Sequence, residues 1–432
     1  VVIAVLFFGI HGCPRPGIPS RNGAKQVIAA ANVEPGDVSA LDFVVQGDRL
    51  HLVWLYAAGD HRGYIKSKTV WYSRCDLKTN SWMKPIVLAT DADGPPRIAA
   101  LSDTLHVLVP HDLRHFVSGD SGSTWSKSTP LLVPNGFLAT EAELVPDGDS
   151  LVAVYMSRTR RDEFELGPNT LFVTTWAHET LGSVQSLYES SVFPIPFGMT
   201  PRLAISGGVR HVYLAITHRL PSYSTGTLCH WMTSPADGYR WSRPDSSEWP
   251  SEIYRPANES SVYEYGATAV GQQSAAFAAK HGLHVITWTG QDPDRQSRII
   301  ATVPEWYFAA ELATSSIEPA VWGNGGQLVW IDTRYGRSDK TPLNPLGGFP
   351  WSDAPDWGNN DVFAIPIGGA LGRDRDAKLM RLTRDLSYTT CMRAHANEAG
   401  VYVVWAGWAR YTRKGDFRDS PPSMWYTKLP LH

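Results

Sequence analysis

Several things are scarce in this chain, and each absence excludes a class. No apolar run is long enough to cross a bilayer as a helix. The longest candidate, Val1–Phe8, falls far short of the roughly 20 residues that a spanning helix needs. Cysteine occurs only at Cys13, Cys75, Cys229 and Cys391, with no CxxC pair and no Cys/His zinc spacing. A zinc ribbon or finger is therefore excluded, and a chain of 432 residues can bury an ample core without a disulfide framework. An excess of one charge is lacking too: 39 Lys and Arg against 42 Asp and Glu leave a net charge of −3. A field that small draws in neither nucleic acid nor an anionic membrane. Long stretches with apolar residues at helical spacing are also missing; only Val303–Ala313 and Ala377–Leu386 are read as short turns of helix.

What the chain has instead is aromatics and turn formers: 17 Trp, 17 Tyr, 37 Gly and 31 Pro. That composition suits many short strands joined by tight turns. One strand pattern returns seven times, at His51-Leu-Val-Trp54, His106-Val-Leu-Val109, Val152-Ala-Val-Tyr155, His211-Val-Tyr-Leu214, His284-Val-Ile-Thr287, Gln327-Leu-Val-Trp330 and Tyr402-Val-Val-Trp405. Nine residues before each stand Asp42, Arg97, Glu143, Arg202, Ala275, Glu318 and Arg393. Acids and arginines alternate in this register, with Ala275 the exception. A β repeat of this length predicts a propeller, in which equivalent positions of the first strands ring the central axis. The expected fold is all-β, a seven-bladed β-propeller of four-stranded antiparallel blades, with six blades as the alternative. The expected blades are about 39–90, 95–134, 138–190, 200–250, 270–316, 317–384 and 389–430. A single propeller domain would span 25–432, with Gln26–Ala31 adding a strand to the last blade to remove an exposed edge.

The third-to-fourth-strand turn of the second repeat reads Ser118-Gly-Asp-Ser-Gly-Ser-Thr-Trp125. It resembles the Asp box of sialidase-like propellers, S-x-D-x-G-x-T-W, at every fixed position. Ser234-Pro-Ala-Asp-Gly-Tyr-Arg-Trp241 and Asp76-Leu-Lys-Thr-Asn-Ser-Trp82 are degenerate copies. The motif is local physics: Asp and Ser tie the turn backbone, Gly takes a permissive conformation, and Trp packs between strands. At the N-terminus, Ile10-His-Gly-Cys13 resembles a bacterial lipobox, so 1–24 reads as a trimmed signal and tether. This implies an extracytoplasmic protein, secreted or held to a membrane only by a lipid at Cys13.

The loops after strands two and four hold most of the chemistry-bearing side chains, and the charged ring opens towards them. The sialidase resemblance implies three arginines for a substrate carboxylate, an Asp general acid, and a Tyr nucleophile activated by a Glu. Arg97 (Pro96-Arg97-Ile98), Arg202 and Arg393 are the register equivalents, and guanidinium groups suit bidentate carboxylate binding. Asp112 takes the acid's place in the loop, and the ring acids Asp42, Glu143 and Glu318 complete the set, with Glu143 or Glu318 as partner to Tyr335, Tyr388 or Tyr411. A second reading, by analogy with seven-bladed polysaccharide lyases, uses Arg219 to neutralise a uronate, with His111, His115, His218 and Tyr223 moving protons. Both readings imply an acidic oligo- or polysaccharide as partner, cleaved by hydrolysis or β-elimination. The alternative is a non-catalytic propeller that binds glycan or protein and whose ring is a structural salt-bridge network. Trp54, Trp288, Trp330 and Trp405 are expected in the core between blades, and the recurrent His51, His106, His211 and His284 in hydrogen bonds between blades. No cofactor is expected, although the Asp/Asn-rich segment Asp353–Asp361 has oxygen donors that suit calcium.

Overall fold

A computed structural model of the chain describes residues 25–27, 36–59, 65–126, 137–160, 166–177, 180–189, 199–206, 208–219, 225–235, 240–242, 268–270, 274–279, 282–289, 292–301, 317–322, 325–332, 361–367, 380–383, 388–408 and 423–431. All regular structure among them is antiparallel β, in seven sheets. β1 (Lys25–Val27) precedes them. The first sheet holds β2 (Gly36–Gln46), β3 (Arg49–Gly59), β4 (Ile65–Asp76), β5 (Ser81–Trp82) and β6 (Ile86–Thr90). The second holds β7 (Arg97–Leu101), β8 (Thr104–Val109) and β9 (Arg114–Ser118). The third holds β10 (Phe137–Asp147), β11 (Ser150–Arg160), β12 (Leu166–Ala177), β13 (Thr180–Leu181) and β14 (Gln185–Glu189). The fourth holds β15 (Met199–Ser206), β16 (Val209–Arg219) and β17 (Thr225–Pro235). The fifth holds β18 (Thr268–Val270), β19 (Ser274–Ala279), β20 (Gly282–Thr289) and β21 (Asp292–Ala301). The sixth holds β22 (Ile317–Trp322), β23 (Gly325–Asp332), β24 (Asp361–Pro366) and β25 (Met380–Arg381). The seventh holds β26 (Tyr388–Asn397), β27 (Gly400–Trp408) and β28 (Ser423–Leu429).

Strands within each sheet follow chain order, and the first strands pack sheet to sheet. β2 lies against β7, β7 against β10, β10 against β15, β15 against β18, β18 and β19 against β22, β22 against β26, and β26 against β2. This is an arrangement of the propeller type. β1 pairs antiparallel with β28, Lys25 opposite Tyr426 and Val27 opposite Met424, so an N-terminal strand covers the outer edge of the seventh sheet. The first and third sheets break their outer strand in two: β5 and β6 both pair with β4, and β13 and β14 with β12. Pro85, which lacks an N–H, falls at the first break. The fifth sheet departs from the pattern, since β18 adds a strand on the side of β19 away from β20.

The core is a series of layers between adjacent sheets, and the first sheet buries both faces. Leu41, Phe43, Leu52 and Trp54 of the first sheet pack on Val404, Met424 and Tyr426 of the seventh. Its other face sets Val53, Val70 and Tyr72 against Ile98, Val107 and Phe116 of the second. Equivalent layers join the second sheet to the third, the third to the fourth, and the sixth to the seventh. Burial on both faces explains why these strands read as near-continuous apolar runs such as Leu50–Ala58, all of it buried. Trp54, Trp330 and Trp405 are buried as expected; the side chain of Trp288 lies outside the described residues. Cys75 and Cys391 are buried. The expected helical turn at Ala377–Leu386 is replaced in part by strand β25, and 303–313 lies outside the described residues, as do 1–24. No helix among the described residues is long and apolar enough to cross a membrane.

Candidate functional site

The repeat register of the sequence is a register of the structure. Asp42 pairs with Val53, Arg97 with Leu108, Glu143 with Val154, Arg202 with Tyr213, Ala275 with Ile286, Glu318 with Val329 and Arg393 with Val404. Each first-strand residue thus faces the equivalent residue of its second strand. The six charged side chains converge.

Glu143 is the hub of the cluster. Its Oε1 accepts from Arg393 Nη2 at 2.9 Å and from Arg202 Nη1, and forms an ion pair with Arg97 Nη2 at 3.1 Å. Glu318 Oε1 accepts from Arg393 Nη1 at 3.0 Å and Arg202 Nη2 at 3.3 Å. Asp42 Oδ2 accepts from the Ile98 amide at 3.0 Å, while its Oδ1 lies 3.2 Å from His395 Nε2 and 3.8 Å from Arg393 Nε. Arg393 and Glu143 come from the seventh and third sheets, and Arg202 and Glu318 from the fourth and sixth, so these two pairs join first strands that do not pack directly on one another. The three guanidinium side chains are only 4%, 10% and 7% exposed for Arg97, Arg202 and Arg393.

Charge explains how this burial is tolerated. Burial alone would raise the Glu143 pKa, but Arg393, Arg97 and Arg202 hold it far below the usual carboxylate range. Asp42 is likewise lowered against its burial, by the His395 hydrogen bond and by Arg393 and Arg97. Arg393 is held protonated more firmly than usual: burial opposes this, and Glu143, Glu318 and Asp42 outweigh it. Arg97 is the weak member. Burial and then the charge of Arg393 lower its pKa, and its Nε is buried without a hydrogen-bond partner. Three arginines facing Asp42, Glu143 and Glu318 make the ring neutral. The alternation of signs is broken at one register position, which is uncharged. Ala275 stands there, and Arg202 and Glu318, on either side of its register position, pair directly.

The other expected site residues are placed differently. His111 has φ +82° and is held by its backbone: its N–H donates to Ala139 O at 2.8 Å, and Ala139 N–H donates back to His111 O at 3.0 Å. It thus clasps the second sheet to the start of β10. Asp112 is exposed and accepts from Arg114 Nε at 2.9 Å, while Arg114 Nη1 and Nη2 donate to the carbonyls of Thr90 and Asp91. Among the described contacts neither Asp112 nor His111 joins the ring. His218 and Arg219 end β16, opposite Gly226 and Thr225; their side chains, and all of Tyr223, Tyr335, Tyr411 and 353–360, lie outside the described residues. No group of three or more metal-ligating side chains occurs among the described residues.

Two of the recurrent histidines, His51 and His106, bond within their own sheets, not between sheets as expected; the side chain of His284 lies outside the described residues. His51 Nδ1 lies 2.7 Å from the Tyr72 hydroxyl, and His106 Nδ1 lies 3.1 Å from His115 Nε2. Burial pulls all three imidazoles down to about 4, so they stay neutral near pH 7. His115 also rests on Trp176 of the third sheet, ring centroids 4.6 Å apart.

The Ser118–Trp125 turn is built by its own side chains. Asp120 Oδ1 accepts from Ser118 Oγ and Thr124 N at 2.8 Å each, and Oδ2 from Thr124 Oγ1 at 2.7 Å. Those bonds, Thr124's first, hold Asp120 down at about 2. The turn docks on the first sheet: Trp125 meets Tyr72 edge-on at 4.8 Å, and Arg74 Nη1 donates to Ser123 Oγ at 3.0 Å. Trp82 in the Asp76–Trp82 turn meets Tyr426 of the seventh sheet the same way, at 6.0 Å. Tyr72 and Tyr426 occupy equivalent register positions, opposite Val53 and Val404.

Two polar residues here went unread in the sequence. His395 stands two residues after Arg393 and Glu141 two before Glu143, each on the ring-facing side of its strand. That period-two spacing from a ring position was the available signal.

No protein-family model and no curated protein sequence matches the chain. Among solved structures, a protein of unknown function from Dyadobacter fermentans is similar at 10% identity and a TM-score of 0.46, over 94% of this chain and 100% of that one. A Penicillium chrysogenum α-L-arabinanase complexed with arabinobiose gives 11% identity and 0.43, over 93% of this chain and 99% of that one. Trypanosoma rangeli sialidase gives 11% and 0.44, over 94% of this chain but 59% of the sialidase.

Proposed function

We propose that residues 25–432 form one closed, seven-bladed propeller of the Asp-box type, that it engages carbohydrate through the face bearing the second-to-third-strand loops, and that its charged ring is a structural hub. The observation that carries this reading is the pairing of Arg97, Arg202 and Arg393 to Glu143, Glu318 and Asp42 in a buried, neutral cluster. A receptor for a substrate carboxylate needs guanidinium groups that are reachable and short of counter-charge; these are neither. The geometry therefore favours the non-catalytic alternative over sialidase-like or lyase-like chemistry at the arginines. Support for a carbohydrate partner is the Ser118–Trp125 motif, together with a β scaffold of the kind that positions loops for recognition.

The test is incubation of the purified protein with sialylated glycans, uronate polysaccharides and neutral oligosaccharides, read by titration calorimetry and by mass spectrometry of products. Saturable binding without turnover of the sialylated or uronate substrates is expected. Release of sialic acid, or unsaturated uronate products one water short of hydrolysis, would overturn the structural reading of the ring.

A further inference from the structure

We propose that His106 and His115 form an acid-released latch between the second and third sheets, closed while at least one of the two imidazoles is neutral and opened when both are protonated. This goes beyond the carbohydrate reading and does not rest on it. Three observations carry it. The first is the bond itself. His106 Nδ1 lies 3.1 Å from His115 Nε2, the ring planes are within 8° of parallel, and the centroids are 5.3 Å apart. That separation is the N···N distance plus little more than two ring radii. The nitrogens therefore lie on the line between the rings, and the imidazoles meet edge to edge in one plane. Such a contact is an N–H···N hydrogen bond, which needs one N–H and one lone pair. A single added proton keeps it, as an imidazolium donating to an imidazole. A second abolishes it, because both nitrogens then carry hydrogen and two positive charges face each other. The second observation is position. His106 stands on β8 opposite Val117, and His115 on β9 opposite Leu108, while the His115 ring rests on Trp176 of β12 with centroids 4.6 Å apart. The pair thus holds to the third sheet the two strands that flank the loop at 110–113. The third observation is the layer around it, which is apolar: Leu108, Leu113, Ala142 and Leu151 all pack there. A polar pair in such a layer depends on its own bond for satisfaction.

The direction of the pH effect follows. Burial pulls both imidazoles down to about 4, and for His115 the charge of His106 adds to it. A released imidazole titrates at about 6.5. Between those values the open form binds more protons, so the closed form is fully favoured above about pH 6.5 and loses ground as pH falls towards about 4. The other charges nearby are placed elsewhere. Arg114, beside His115 on β9, is turned to Asp112 and the carbonyls of Thr90 and Asp91. On β7 and β10, Arg97, Glu141 and Glu143 lie at the ring. β12 carries no charged residue, Arg158 and Arg160 stand at the far end of β11, and burial holds the Tyr155 hydroxyl neutral. Asp103 and Asp149 occupy exposed turns. His178 and Glu179, in the turn after Trp176, lie outside the described residues, and a titration of the whole protein includes whatever charge they bring.

Two measurements on the full chain test this. Magnetic resonance of ring-labelled histidine follows the protonation of His106 and His115, and hydrogen–deuterium exchange, corrected for the chemical rate at each pH, follows residues 104–118 and 171–177. In wild type, exchange in both segments should rise about tenfold or more between about pH 7 and about pH 4, steepest as the second histidine protonates, while Leu50–Ala58 stays protected. His106→Gln with His115→Gln keeps a donor and an acceptor at each position but does not titrate, and the rise should fall below about threefold. His115→Gln alone leaves one titrating imidazole, so it makes the same comparison if the double variant lacks native near-ultraviolet circular dichroism at about pH 7. An equal rise in a folded variant overturns the latch. Wild type decides it as well: two charged histidines without faster exchange, or histidines still neutral at about pH 4, would overturn it.

Discussion

At the scale of single residues, most conspicuous side chains turn out to fasten one sheet to the next. Tyr72 is the clearest case. Its hydroxyl is held by His51, its ring meets Trp125 edge-on, and Gly122 lies so close that a Cβ there would fall 1.7 Å from the hydroxyl. Gly122 also has φ +78°, which a side chain resists. Gly122→Ala should therefore destabilise by about 2 kcal/mol or more, through backbone strain and displacement of a buried tyrosine. Urea unfolding measures this; a variant with wild-type stability would mean that the turn does not seat on Tyr72. His111 illustrates the same principle in reverse. Its side chain looked suited to proton transfer, yet its backbone does the visible work, holding a left-handed conformation to close two hydrogen bonds onto Ala139.

At the scale of elements, three of the first strands share a device. β2, β10 and β26 each shift register at one residue, Ser39, Thr140 and Thr390, always at the same remove before the ring residues Asp42, Glu143 and Arg393. A bulge twists and bends its strand locally, which lets it follow the neighbouring sheet before the paired stretch begins. β1 is the other telling element. Only Lys25–Val27 pair with β28, but they cover an edge that would otherwise offer free N–H and C=O groups to another chain. Deleting residues 1–28 should cost about 2–4 kcal/mol from the lost ladder and its packing and should raise the tendency to associate. Calorimetry and light scattering would show a lower unfolding midpoint and a rise in particle mass; an unchanged particle mass with an unchanged midpoint would contradict the role of β1.

At the scale of the whole molecule, the ring ties together sheets that the β-ladders leave unconnected. Arg393 reaches Glu143 over 250 positions of sequence, and Arg202 reaches Glu318 over 116. Buried ion pairs contribute little compared with an apolar replacement of the whole cluster, but removing one partner strands the others. Glu143→Gln leaves Arg97, Arg202 and Arg393 short of their shared acceptor. It should cost roughly 3–5 kcal/mol, and 1 M salt should not restore the stability, because screening acts weakly on buried charge. The control is Asp48→Asn at the exposed Lys78–Asp48 pair, which should change stability little. A small effect at Glu143, or one erased by salt, would place the ring in open solvent and reopen the arginines to a ligand.

The sequence by itself determined the periodic part of this protein. Strand propensity, turn residues and a recurrent spacing are local and repeated, so Asp42, Arg97, Glu143, Arg202, Ala275, Glu318 and Arg393 could be aligned, and the pairing of β1 with the last sheet foreseen, without coordinates. Which groups are spent and which are available was decided only by the tertiary structure. Whether an arginine binds a ligand depends on the counter-charge within a few ångströms, and that charge arrives on strands far away in sequence. The same holds for Asp112, taken up by Arg114, for the histidines, whose partners Tyr72 and His115 lie on adjacent strands, and for Glu141. For Glu141 the order of residues offers only its period-two spacing from Glu143; the arginines that act on it arrive on other sheets.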